Sequence, residues 1–112
     1  MRPIALAVVA ALAWPQAGVT AAKEPAWTVY ADCAAAYQAN ARIADPDRPA
    51  SMTAQVSDVA NDYAAAARAR YRPAKAARAR VQTRIERQTR LLAGQPREAV
   101  EHIIDACPQV GG

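Results

Sequence analysis

Beyond the first two dozen residues, apolar positions recur along the chain at spacings of three and four, which is the period of an α-helix. One such stripe comprises Trp27, Tyr30, Cys33, Ala34, Tyr37, Ala41 and Ala44, and a second comprises Met52, Val56, Val59, Tyr63, Ala67 and Tyr71. A third comprises Ala74, Ala77, Val81, Ile85, Gln88 and Leu92, and a fourth comprises Val100, Ile103, Ile104 and Cys107. Alanine, the residue with the best helix propensity, dominates throughout. The pattern therefore predicts an all-α domain, a small bundle of three to four helices.

Prolines and one glycine mark the expected ends of these helices. Pro46 and Pro49 end the first, because a proline disfavours helical geometry in the residue before it. Gly94 is well placed to stop the third. The predicted helices span residues 27–44, 51–72, 73–93 and 96–107, and residues 108–112 are expected to form a flexible tail. The pattern leaves open whether Pro73 separates two helices or bends one long helix.

The first 22 residues have the layout of a cleavable secretory signal peptide. Arg2 gives a positive start, an apolar run covers residues 4–14, and small residues follow, so that cleavage after Ala21 or Ala22 is equally compatible with the pattern. The apolar run is shorter than the roughly 20 residues of a membrane-spanning helix, and an uncleaved N-terminal anchor is the alternative. The abundance of alanine and arginine suggests a GC-rich bacterial genome. We therefore expect export to the bacterial periplasm, no transmembrane span, and a mature helical domain over residues 23–107.

The chain has two cysteines, Cys33 and Cys107, each on the apolar stripe of its own predicted helix. An even cysteine count in an exported protein predicts a disulfide, here one that closes a loop of 75 residues (107 − 33 + 1). Chain-entropy arithmetic gives such a bond an upper contribution of about 4 kcal/mol. The alternative is a reactive cysteine, but the sequence has no Cys-x-x-Cys motif and His102 is the sole histidine. The bond is expected to fasten the last helix to the first.

Positive charge is concentrated in the second half of the chain. Residues 68–90 carry nine bases against one acid, Glu86. The bases are Arg68, Arg70, Arg72, Lys75, Arg78, Arg80, Arg84, Arg87 and Arg90, and together we call them the arginine-rich surface. On a helical wheel the bases from residue 75 onward cover the whole non-core side of the third helix, which is typical of a solvated face. The same density of like charge is also typical of a surface that attracts anions.

Several anionic partners are compatible with such a surface in an exported protein. Membrane insertion is disfavoured because the apolar stripe is formed by alanine, valine and isoleucine instead of tryptophan, phenylalanine or leucine. Nucleic acid is disfavoured because Tyr71 alone is interleaved with the bases and because export separates the protein from it. An acidic protein fits better, or another anionic component of the envelope. The acidic first half of a second copy would also serve, which allows a homodimer.

The sequence lacks the patterns expected of an enzyme or of a cofactor site. It has no glycine-rich phosphate loop and no zinc-type cysteine cluster. Glu98 and Asp105 flank His102 at helical spacing, which indicates surface pairing more than a metal site. Asp58 and Asp62 are one turn apart and are joined by no other group. We therefore expect no catalytic, metal or cofactor-binding residues.

The predicted function is that of a non-enzymatic binding protein, which presents the arginine-rich surface to an acidic partner on a rigid, disulfide-pinned scaffold. The alternative is a periplasmic, stress-responsive holdase chaperone. In that case a thin alanine core would open in acid and expose Trp27, Tyr30 and Tyr37.

Overall fold

A computed structural model describes residues 25–43 and 47–110 of the chain. These residues form four α-helices, and no strand occurs among them. The helices are α1 (Trp27–Arg42), α2 (Ala50–Arg70), α3 (Ala77–Ala93) and α4 (Arg97–Asp105), with a 3₁₀ turn over Ala74–Ala76. The predicted all-α class is thereby confirmed. The predicted signal peptide, residues 1–22, lies outside the described residues, as does Ala44.

Helix α1 is the centre of the bundle and contacts each of the other three helices. The sequence pattern predicts one apolar stripe on this helix, whereas the structure buries side chains all around it. The buried side chains are Tyr30, Ala31, Cys33, Ala34, Ala35, Ala36 and Ala39. Five of these seven are alanines, whose small side chains let neighbouring helices approach closely. The apolar stripe of a single helix does not show how many other helices pack on that helix, and three pack on α1.

Two clusters of side chains form the core. The larger cluster lies between α1, α2 and α3 and combines Tyr30 and Tyr63 with Val81 and Ile85. The smaller cluster places Val100 of α4 against two alanines of α1, with Leu92, Ile103 and Ile104 around it. Helix α4 therefore packs on α1 and on the end of α3.

The disulfide between Cys33 and Cys107 is present, with the two Cα atoms 6.0 Å apart, and the predicted pairing is confirmed. It joins the residues after α4 to the middle of α1. Immediately beyond it, the Tyr63 hydroxyl donates a hydrogen bond of 2.5 Å to the carbonyl oxygen of Pro108. Val110 packs against the larger core cluster. Residues 108–110, which belong to the predicted tail, thus contact both α2 and the core.

The connection between α2 and α3 positions the surface of interest. Helix α2 ends at Arg70 and α3 begins at Ala77, so Pro73 lies in a connection that separates two helices. The Tyr71 and Pro73 backbones are extended, and the Arg72–Pro73 peptide bond is cis. The Tyr71 ring lies against the Trp27 ring at the start of α1, with the ring centroids 4.9 Å apart.

None of the helices within the described part of the chain is both long enough and apolar enough to span a membrane.

Candidate arginine-rich binding surface

The nine bases of the arginine-rich surface occupy consecutive elements of one half of the bundle. Two lie in the last turn of α2, one in the connection and one in the 3₁₀ turn, and five lie on α3. The structure separates them by what their side chains contact. Some are used within the fold, and others face solvent with no partner among the described residues.

Arg70 and Arg72 stabilise the end of α2. The Arg70 guanidinium lies 4.2 Å from the centroid of the Tyr30 ring, and its Nη1 donates to the carbonyl oxygen of Ala66 at 2.9 Å. Arg72 Nη1 donates to the carbonyl oxygens of Ala69 at 3.0 Å and Tyr71 at 2.9 Å. The Ala69 carbonyl lies in the last turn of α2, where carbonyl groups lack intrahelical donors and carry partial negative charge, so the hydrogen bond from Arg72 is favourable.

Arg84 forms a two-pronged ion pair with Asp32 of α1. Its Nε and Nη2 atoms donate to the two carboxylate oxygens at 2.8 and 2.9 Å, and the side chains are 31% and 35% exposed. The guanidinium also lies over the Trp27 ring, 5.8 Å from its centroid. The hydrogen bond to Asp32 and the carboxylate charge raise the pKa of Arg84, against the opposing effect of burial. Arg84 thus joins α3 to α1, and its charge is neutralised within the fold.

Besides Arg72, five bases are exposed: Lys75, Arg78, Arg80, Arg87 and Arg90. None of them forms a hydrogen bond or ion pair with any other residue in the described ranges. Arg68 is half-buried and likewise forms no such bond there. The acid nearest in sequence, Glu86, accepts a hydrogen bond from Gln82 at 3.0 Å. The exposed part of the surface therefore carries positive charge that the described fold does not neutralise.

A pocket of about 250 Å³ opens beside three of the arginines. It is lined by Trp27, Tyr71, Arg80, Thr83, Arg84 and Arg87, and we call it the aromatic–arginine pocket. Its two rings meet nearly at right angles, with an interplanar angle of 80°. The sequence predicts Tyr71 as the aromatic residue interleaved with the bases. It does not predict that Trp27 lies beside them. No local signal could have found it, since its approach to α3 depends on how α1 packs.

A larger groove, of about 610 Å³, lies between α2 and α3 with α1 as its floor. Its lining is mostly polar and uncharged, with Thr53, Ser57 and Asn61 on the α2 side. Arg90 borders this groove and not the aromatic–arginine pocket. The buried Thr89 hydroxyl at its base donates to the Ile85 carbonyl oxygen at 2.7 Å, so this hydroxyl is satisfied by its own helix.

The other polar residues considered from the sequence lie apart from these cavities. His102, Glu98 and Asp105 are exposed on or near α4, and Asp58 and Asp62 are exposed on α2. Within residues 25–43 and 47–110, no group of three or more histidine, cysteine, aspartate or glutamate side chains is placed to hold a metal ion.

No protein-family model matches this chain, and no curated protein or solved structure shows significant similarity to it. The chemistry of the surface and its cavities is therefore what indicates a function.

Proposed function

We propose that the protein is a non-enzymatic binding protein that holds an acidic partner protein on its arginine-rich surface. The observation that supports this is a set of exposed bases on the 3₁₀ turn and α3 that have no hydrogen bond or ion pair with any described residue: Lys75, Arg78, Arg80 and Arg87. Like charges at helical spacing repel each other, so leaving them unpaired costs stability. An acidic partner would remove that repulsion and would be drawn to the surface by long-range attraction.

The compartment in which the partner is met is part of the same proposal. A disulfide between Cys33 and Cys107 is compatible with an oxidising compartment, and the first residues of the chain resemble an export signal. The partner would then be an acidic protein of the bacterial envelope. The acidic first half of a second copy of this chain is another candidate, since Asp58 and Asp62 are exposed on α2.

A charge-neutralising variant tests this proposal. Lys75, Arg78, Arg80 and Arg87 are replaced together by glutamine, and binding of fluorescein-labelled polyglutamate is measured by anisotropy over a range of salt concentrations. We expect the native chain to bind with an affinity that falls as salt rises, and the variant to lose at least about tenfold in affinity and most of the salt dependence.

The matched control neutralises charge of the opposite sign on another helix. Asp58→Asn combined with Asp62→Asn removes two exposed acids of α2 and should leave polyglutamate binding equal or tighter. Far-UV circular dichroism checks that every variant is folded. Equal affinity of the native chain and the four-base variant would contradict the proposal.

A further inference from the structure

Building on the proposed function, we infer that the aromatic–arginine pocket is the anchoring point for the partner. We infer further that it receives an acidic amphipathic helix with two carboxylates two turns apart and one apolar side chain between them.

The pocket places positive charge at its two ends and neutral surface between them. Arg80, Arg84 and Arg87 follow one another at helical spacings of four and three, so they lie along one side of α3. Arg84, the middle one, is paired with Asp32 and lies over Trp27. Its side chain is held in place there, and its charge is neutralised by Asp32. Arg80 and Arg87 have no ion pair within the described ranges, so no described carboxylate neutralises their charge.

The spacing of these charges defines the ligand. Seven residues of an α-helix span about 10.5 Å along its axis, so the Arg80 and Arg87 positions are separated by about that distance. Glutamates at positions i and i+7 of a partner helix have the same separation and would meet the two guanidiniums as charge-assisted pairs. An apolar residue near the middle of that interval, at i+4, would then lie over Trp27 and Tyr71.

The composition of the pocket is that of an interface anchor. Tryptophan, tyrosine and arginine are the residue types that most often dominate binding energy at protein interfaces. Leu91, one turn beyond Arg87 on the same side of α3, is 60% exposed and extends the apolar contact that a helix lying along α3 would find.

A single-stranded nucleic acid fits the pocket less well than an acidic helix. Bases stack on open aromatic faces. The Arg84 guanidinium lies over the Trp27 ring, and Tyr71 meets that ring at 80°, so the two rings do not form parallel, open platforms. Nucleic acid is therefore an outcome that the experiment must distinguish.

Tryptophan fluorescence reports occupancy of this pocket directly. The chain has two tryptophans, so in the full chain carrying Trp14→Phe the remaining one, Trp27, lines the pocket. Three synthetic helical peptides of matched length serve as probes. The first has glutamates at i and i+7 with leucine at i+4, the second has the same composition with the glutamates adjacent, and the third replaces the leucine with alanine.

We expect the first peptide to shift the Trp27 emission and to bind at least about tenfold more tightly than either of the others. Arg80→Gln combined with Arg87→Gln should weaken it by about tenfold or more. The matched control, Lys75→Gln combined with Arg78→Gln, removes the same charge outside the pocket and should weaken it by less than about threefold.

The outcomes separate this inference from the proposed function. If acidic peptides bind but peptide pattern has no effect and the two double variants lose affinity equally, the pocket inference is overturned while the proposed function stands. If no acidic peptide binds and polyglutamate also fails, both are overturned. A single-stranded oligonucleotide that changes Trp27 emission and displaces the first peptide at lower concentration would overturn the inference in favour of nucleic acid.

Discussion

The ion pair between Arg84 and Asp32 should stabilise the fold measurably, although both residues are partly exposed. Exposed pairs contribute about 0.2–1 kcal/mol, and this pair belongs near the upper end because both carboxylate oxygens accept a bond. The partial exposure of both side chains, 31% and 35%, keeps solvent screening in force and rules out the larger values of buried pairs. We expect a coupling energy of about 1 kcal/mol. Arg84→Gln alone should cost about 1.5 kcal/mol, because it also removes a contact of about 0.5 kcal/mol with Trp27.

A double-mutant cycle measures this coupling. The free energy of unfolding is obtained by urea titration of the oxidised native chain, of Arg84→Gln, of Asp32→Asn and of the double variant, each followed by far-UV circular dichroism. In about 1 M NaCl the coupling should fall without vanishing, since partly buried pairs are screened less than exposed ones.

Arg87→Gln is the matched control for this cycle. It lies three residues further along α3, is exposed and has no ion pair within the described ranges, so its effect should stay within about 0.5 kcal/mol. A coupling energy below about 0.3 kcal/mol would refute the reasoning, because distant and independent residues already deviate from additivity by that much.

Three further predictions concern the core and the disulfide. Cys33→Ser combined with Cys107→Ser should lower the free energy of unfolding by up to about 4 kcal/mol, and a loss under about 1 kcal/mol would contradict the chain-entropy argument. Tyr63→Phe should cost about 1 kcal/mol in urea unfolding through loss of the hydrogen bond to Pro108. Burial, with smaller effects of neighbouring tyrosines, raises the pKa of Tyr63 above its ordinary value. The contribution of Tyr63 to the free energy of unfolding should therefore be intact below pH 10 and be lost as pH rises through the pKa of the folded state. An equally steep alkaline decline in the stability of the Tyr63→Phe variant would contradict this. Ala35→Leu should destabilise by about 1–3 kcal/mol through overpacking around α1, whereas Ala65→Leu, exposed on α2, should change unfolding by about 0.5 kcal/mol or less.

The all-α class could be predicted because helical periodicity is a short-range pattern, and the disulfide because the chain has two cysteines. Helical periodicity shows in spacings of three and four residues, whatever the rest of the fold does. The pairing of Cys33 with Cys107 follows from having two cysteines on inward-facing stripes. This periodicity is visible in the sequence of α1 even though three other helices pack on it.

The surroundings of α1 and the internal role of Arg84 could not be predicted, because they depend on tertiary packing. Asp32 and Arg84 are 52 residues apart, and a helical wheel shows only that each is polar. The burial of Thr89 could not be predicted either. Thr89 continues the i+4 series of Val81 and Ile85, and its hydroxyl donates to the Ile85 carbonyl oxygen. A polar residue can therefore belong to the core when its own helix satisfies it.

Arg84 is unsuitable for testing ligand binding by the arginine-rich surface, because it has two roles. Because it lines the aromatic–arginine pocket and also pairs with Asp32, replacing it would weaken binding and loosen the contact between α1 and α3 together. A loss of affinity in that variant could come from either cause. Arg80 and Arg87 border the same pocket without an ion pair in the described part of the chain, so their replacement changes the charge offered to a ligand while the fold keeps its contacts. A binding defect in those variants, with unchanged unfolding energy, can be assigned to recognition alone.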